Sequence, residues 1–299
     1  MTNHIRFEDH IWSDQEGEIV WVDYGPMQMK IIAVKNRAFV LDVAREAAKV
    51  AINHLLQLIE SQAWARKTWI YWDAARISAK IPLSLKIMWS AVRESGDPTL
   101  TPMASVAGAL ADLTADWLVD QGATRVVVDN GGDIAIRLTP GESIRVGISP
   151  GAGKSGIAGY IDINGCQGVG GIATSGLGGK SFTAGIADSA VILAKKAAVA
   201  DACATSVGNH TIADHPLIKR LPARLIDPNT DIPDVLVTKS VGQLPEAVIL
   251  KACRKSYLRA IELIKKRVII ASIILCQGYQ ISAPPELNIS WLQHEKKGA

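Results

Sequence analysis

Eighteen of the 25 glycines in this 299-residue chain lie between Gly108 and Gly185. Roughly a quarter of the sequence therefore carries most of its freedom to turn sharply or to bring backbone close to a ligand. Length gives a soft prior of about two domains and is ample for a sizeable core. With 48% hydrophobic residues, the chain is not a disordered tail. A net charge of +3, without runs of Lys or Arg, argues against nucleic acid as the main partner.

Cys166, Cys203, Cys253 and Cys276 are far apart and form no CxxC pair, so neither a zinc knuckle nor a disulfide framework is expected. The opening MTNHIRFEDHIW is too charged for a secretory core. The longest apolar run, Val268 to Cys276, is interrupted by Ser272 and too short to span a bilayer. These features lead to the expectation of a cytoplasmic protein with no membrane segment.

Glu18–Tyr24 and Met27–Val34 read as strands around Gly25-Pro26. From Ala38 to about Ala65 the pattern is helical, with Phe39, Val43, Ala47, Val50, His54 and Leu58 near one face. Residues 66–100, with Trp69, Trp72, Trp89, Pro82 and Pro98, resist assignment; few cations interleave the aromatics, which favours packing over base stacking. Val106, Leu110, Leu113 and Trp117 predict a helix closed by Gly122. Arg125–Asp129, Ile144–Ile148, Tyr160–Ile163, Gly171–Thr174 and Ala190–Ala194 read as short strands, followed by a small-residue helix over Ala197–Val207. Pro233–Thr238, a helix over Glu246–Lys265 and a buried strand over Val268–Leu275 complete the chain. The class is α+β, a mixed sheet with packed helices, because strands and helices do not alternate as in a doubly wound fold.

Two glycine strings look like phosphate loops and fail. Gly151-Ala-Gly153-Lys-Ser-Gly156 fits GxGxxG, but the strand-like Ile157–Ile163 follows where a Rossmann site needs a helix. Gly179-Lys180-Ser181 resembles the end of a Walker A loop, yet Thr174 stands where that motif requires its first glycine.

Asp201 and Thr205 are four residues apart and share one face of the small-residue helix. Ala197, Ala198, Ala200, Ala202, Ala204 and Ser206 leave room for a ligand or a second backbone, while Val199, Cys203 and Val207 form the apolar stripe. A carboxylate with a hydroxyl suits Mg²⁺, which takes few protein ligands and completes its shell with phosphate and water; an acidic residue favouring the helix dipole is the alternative. Asn130-Gly131-Gly132-Asp133 is either a ligand-facing strand end or a polar hairpin turn. Thr174-Ser175-Gly176 offers hydroxyls and a backbone N–H, or is a plain turn. Asp112, Asp116 and Asp120 form an i, i+4, i+8 row expected on a solvated face.

In order, Pro102-Met-Ala-Ser-Val-Ala-Gly-Ala-Leu-Ala-Asp112, Asp129-Asn-Gly-Gly-Asp133, Ala173-Thr-Ser-Gly176 and Ala200-Asp-Ala-Cys-Ala-Thr205 resemble the ApbE-like superfamily, whose characterised members are FAD:protein FMN transferases. The likeness is strongest to a sister family of bacterial and archaeal proteins. It implies an ApbE-like mixed sheet, read as one domain over 1–299 with a motif-bearing core at about 100–210 and a C-terminal αβ extension over 211–299. It also implies Mg²⁺ on Asp201 and Thr205. The implied FAD or FMN contacts are Asn130, Gly131, Gly132, Asp133, Thr174, Ser175, Gly176 and Asp112.

The departures are specific. The transferases carry Lys before the helix glycine, where Ala107 stands here. Their His-Ile-Ile-Asp-Pro segment aligns with Gly185-Ile-Ala-Asp188-Ser189, so only Asp188 is kept, and the stretch Leu177–Ala184 is an insert. Three functions follow. One is an ApbE-like transferase that binds a phosphate-bearing cofactor through Mg²⁺. Another is conversion of a small polar or aromatic metabolite in the same cleft, with Asp188, Ser175 and Lys180 as catalytic groups. The third is a non-catalytic flavin-binding or scaffolding subunit docked to a protein partner. A small-molecule ligand and homo-oligomeric assembly are expected.

Overall fold

The computed structural model describes residues 7–71, 81–151, 155–179 and 181–292. Lys180 and Trp72, both singled out in the sequence, lie outside the described residues. Strands are β1 (Ile11–Ser13), β2 (Val20–Tyr24), β3 (Met27–Lys35), β4 (Ala38–Phe39), β5 (Arg125–Asn130), β6 (Asp133–Leu138), β7 (Ser143–Ile148) and β8 (Gly159–Asn164). They continue with β9 (Gly171–Ser175), β10 (Ser189–Ala194), β11 (Ile218–Pro222), β12 (Leu236–Val241), β13 (Ala271–Cys276), β14 (Tyr279–Ala283) and β15 (Ser290–Trp291). Helices are α1 (Leu41–Glu60), α2 (Gln62–Ala65), α3 (Leu83–Ser95), α4 (Val106–Asp120), α5 (Ala197–Asn209) and α6 (Glu246–Lys265).

A large sheet runs β1-β2-β3-β5-β6-β9-β10-β13-β14, with β4 on β3, and its neighbouring strands are antiparallel. The chain is α+β, as expected, with helices packed on a sheet whose strand pairs are all antiparallel among the described residues. Period-two alternation sorts the core into layers. In β10, Ala190, Ile192 and Ala194 face α3, α5 and α6, while Val191 and Leu193 face the small sheet β15-β8-β7 with Ile161 and Ile163. A strand buried on both faces carries no polar alternation, which explains the unbroken apolar reading of Ala190–Ala194. The hairpin β2–β3 and β5 bury Val20, Met29, Ile31 and Val128 against α1 and α4. Among the described residues, no helix is long and apolar enough to cross a membrane.

Local departures from expectation have physical causes. Helix α1 begins at Leu41, because Phe39 is held in the short strand β4 opposite Val34. Its buried face is Ala44, Ala47, Ala48, Ala51, Ile52, Leu55 and Leu58, an alanine stripe that a search for large apolar residues misses. The unassigned stretch contains α3, which starts after Pro82 and ends at left-handed Gly96, a residue type that supplies that conformation without a Cβ penalty.

Candidate functional site

β5 pairs with β6 over six residues and β9 with β10 over five, but β6 and β9 register only through Ile134↔Ile172 and Ala135↔Gly171. On one side the Ile136 N–H still donates to the Gly170 carbonyl at 2.9 Å, while towards Asp133 and Thr174 the strands part. A cavity of about 710 Å³ occupies the opening, a volume usual for a small-molecule or cofactor site. One side is apolar, with Ile134, Ile148, Ile161, Ile172 and Val191; the opposite end is polar.

That polar end gathers most of the residues expected from sequence. Asn130, Gly131, Gly132, Asp133, Thr174, Ser175, Gly176, Asp188, Asp201 and Thr205 all line the cavity. Residues Asn130–Asp133 form the hairpin turn between β5 and β6 and line the cavity. Gly131 (φ 70°) and Gly132 (φ 105°) take the left-handed conformation that the turn demands. Asp129 Oδ1 accepts from the Gly132 N–H at 2.8 Å, and the Asn130 amide donates to the Ala107 carbonyl at 3.2 Å, tying the turn to the start of α4. Asp188 is buried, and its Oδ2 accepts from the Gln277 backbone N–H at 2.9 Å. The Ser175 hydroxyl is buried without a hydrogen-bond partner.

Helices α4 and α5 cross in close contact because a Cβ on Gly108 would stand 2.4 Å from the Ala197 carbonyl oxygen. This contact sets up two reciprocal bonds. Asp201 of α5 accepts from the Gly108 N–H of α4 at 3.0 Å, and Asp112 of α4 accepts from the Ala198 N–H of α5 at 2.9 Å. Each carboxylate thus satisfies a first-turn amide of the other helix, where the dipole favours negative charge. Burial pushes the Asp201 carboxyl up to about 7, against the pull of the Gly108 and Ala107 amides. Rotation of α5 is fixed from behind by Ser206, whose hydroxyl donates to Asp97 at 2.7 Å and accepts from Arg259 at 3.2 Å.

Asp112 does not line the cavity and is interior, whereas Asp116 is half-buried and Asp120 exposed, so the solvated face expected for the row holds only at its far end. Asp112 is buried and binds Arg137 at 2.8 Å; Asp116 binds Arg137 at 2.6 Å and Lys196 at 3.0 Å. Sequence reasoning missed Arg137, because its partners are distant along the chain and no element is read over residues 133–138. Gly185, the position that the resemblance aligns with the transferases' His, has no room for a side chain. A Cβ on Gly185 would lie 2.0 Å from the Gly208 carbonyl oxygen and 2.2 Å from Thr211 Oγ1, so no side chain fits there.

Among the described residues, no group of three or more His, Cys, Asp or Glu side chains is arranged to hold a metal. The donor set at Asp201 and Thr205 is of another kind: one carboxylate and one hydroxyl, hard oxygens on one helix face at a cavity wall. That set fits Mg²⁺, which commonly keeps one or two protein ligands, and does not fit a soft metal.

A family model for AbpE bacteria matches residues 11–282. A UPF0280 protein of Methanopyrus kandleri is 36% identical over 152 residues, covering 48% of this chain and 59% of that one. One from Methanococcoides burtonii is 33% identical over 177 residues, covering 58% and 70%. The chain spans about half the length of most of the curated relatives it matches. The crystal structure of the ApbE protein from Thermotoga maritima aligns with TM-score 0.51 at 12% identity, over 88% of this chain and 96% of that one, and so shares its fold. From the match over residues 11–282, the chain belongs to the AbpE bacteria family.

Proposed function

We propose that the cavity between β6 and β9 binds a flavin nucleotide through its phosphates, with Mg²⁺ held by Asp201 and Thr205, and that the chain acts as an ApbE-like transferase. The observation that carries this reading is the convergence of Asn130–Asp133, Thr174–Gly176, Asp188, Asp201 and Thr205 on one cavity from four separate stretches of sequence. When bound, Mg²⁺ supplies positive charge to offset a pyrophosphate and the charge that develops on a leaving phosphate. The chain's own residues do the rest. Asn130 fixes the Gly131-Gly132 turn so that its backbone can approach the ligand, Ser175 offers an unused hydroxyl, and the Gln277 amide holds the Asp188 carboxylate. The apolar wall of Ile134, Ile148, Ile161, Ile172 and Val191 excludes water from a planar ring.

Isothermal titration with FAD and with FMN, each with and without Mg²⁺, tests this reading. Binding that requires Mg²⁺ and disappears in Asp201→Ala is expected. An intact protein that binds neither nucleotide overturns it.

A further inference from the structure

Cys253 of α6 and Cys276, the last residue of β13, are distant in sequence but meet in the fold. They share a small buried cluster with Ile186, Leu244, Ile249 and Ala252, and their thiols hydrogen-bond to each other. Both are reduced and fully buried. Cys276 Sγ also donates to the Ile186 carbonyl oxygen at 3.4 Å. The hydrogen bond with Cys276 holds the Cys253 thiol below its usual range, against burial and the nearby Asp188 carboxylate, and so favours the nucleophilic thiolate. Cys203 differs: burial pushes its thiol up to about 12.

The pair stands directly behind the cavity. Ile186 is two residues before Asp188, and Gln277, which follows Cys276, donates its backbone N–H to Asp188 Oδ2 at 2.9 Å. Gln277 and Gly278 form the turn between β13 and β14, at φ 45° and 90°. A residue with a Cβ rarely takes that left-handed conformation, so Gln277 depends on the bonds that hold it. Besides the amide to Asp188, its side chain accepts from the Leu244 N–H at 3.0 Å and donates to the Gly242 carbonyl at 2.8 Å. Leu244 belongs to the thiol cluster, whereas Gly242, Gln243 and Pro245 are exposed. On this side, the cover of the two thiols is one short loop pinned by Gln277.

We infer that Cys253 and Cys276 form a dithiol site that hydrogen peroxide converts to a disulfide, and that this oxidation releases Gln277 from Asp188 at the cavity. The Cys253 thiolate attacks one peroxide oxygen and the O–O bond breaks. This leaves a Cys253 sulfenic acid and a hydroxide, which takes up the Cys253 proton as water. Cys276 Sγ then displaces the sulfenic oxygen: the S–S bond forms, the S–O bond breaks, and the Cys276 proton leaves with that oxygen as a second water. Two electrons pass from the thiols to the peroxide. The Ile186 carbonyl loses its donor, and the sulfurs are drawn from hydrogen-bond to covalent separation, carrying the end of β13 with them. No nucleotide or metal takes part, so the assignment stands or falls separately from the cavity's ligand.

The full chain carrying Cys166→Ser, which removes the exposed cysteine, is treated with hydrogen peroxide in the absence of flavin and Mg²⁺. It is then blocked, digested and read by mass spectrometry. A linked Cys253–Cys276 peptide that a reductant abolishes is expected, with Cys203 still a free thiol. Hydrogen exchange at the Gln277 amide should accelerate about tenfold or more in the oxidised form. Cys253→Ser should form no disulfide and leave that exchange insensitive to peroxide; the measurement on the unaltered pair holds whether or not this variant folds. Absence of the linked peptide would overturn the site, as would consumption of Cys203 at the same rate, which marks oxidation of unfolded chain. A linked peptide with unchanged Gln277 exchange would overturn the coupling to Asp188.

Discussion

The Gly108 amide of α4 and the Asp201 carboxylate of α5 are 93 positions apart in sequence and 3.0 Å apart in space. This bond places the proposed metal ligand on the amino end of a neighbouring helix, in a site where burial raises its carboxyl from 3.8 to about 7. Between those two values the folded protein keeps a proton that the unfolded chain has released. The Asp201 contribution to the stability of the metal-free protein should therefore fall as pH rises from about 4 to about 7, by an amount on the order of 1–3 kcal/mol. Asp201→Asn removes the titration and should flatten the profile. Thermal unfolding across that pH range checks it, and parallel profiles for the two proteins would contradict the assignment.

Gly108→Ala tests the helix crossing itself. The added methyl meets backbone, at 2.4 Å from the Ala197 carbonyl oxygen, and backbone cannot turn aside as a side chain can. A loss of about 2 kcal/mol or more in urea unfolding is expected, together with weaker Mg²⁺-dependent binding because Asp201 shifts with α5.

How much of this was readable in the sequence depends on the kind of contact involved. The turn at Gly131-Gly132 and the pair Asp201/Thr205 were legible because each is local: a turn needs its glycines in sequence, and two residues on one helix face need only their spacing. Asp112 was misread because its i, i+4, i+8 row satisfies the rule for a solvated face equally well. Only the arrival of Arg137 from β6 and of the Ala198 amide from α5 makes that position interior. Helix α1 was found but its buried face only at Ala47 and Leu58, since alanines carry little weight in an apolar pattern and gain their meaning from how closely β2 and β3 approach.

Arg137→Met should cost about 3 kcal/mol, because it leaves the buried Asp112 with a single amide donor. Replacing Asp112 by Leu in the same background should recover much of that loss, since the unpaired charge goes with it. Denaturant midpoints of the two variants decide the matter, and equal destabilisation of both would show that the pairing does not govern stability here.

Ser175→Ala separates a ligand contact from a structural one. The hydroxyl is buried and has no partner in the protein, so its removal should leave the melting temperature unchanged or slightly higher. Nucleotide affinity should drop by about tenfold if that oxygen meets the ligand. Unchanged affinity would remove Ser175 from the binding site.

Gly185→His restores the residue type that the transferases carry at the aligned position. With Gly208 and Thr211 about 2 Å from the first carbon of any side chain there, the variant should fail to fold and not gain activity. Recovery in the soluble fraction with a native circular dichroism spectrum would show that the backbone around Gly208 can yield.

The short join between β6 and β9, two register pairs and the Ile136–Gly170 bond, divides the large sheet into panels, one built from the amino-terminal hairpin with α1 and α4, the other from β9 to β14 with α5 and α6. Few hydrogen bonds resist rotation about such a seam, while the α4–α5 crossing clamps it at one end. A ligand in the cavity would touch both panels at once, through the Asn130–Asp133 turn on one and the Thr174–Gly176 stretch on the other. The ligand would then act as a brace, completing mechanically a sheet that the chain leaves open along its middle.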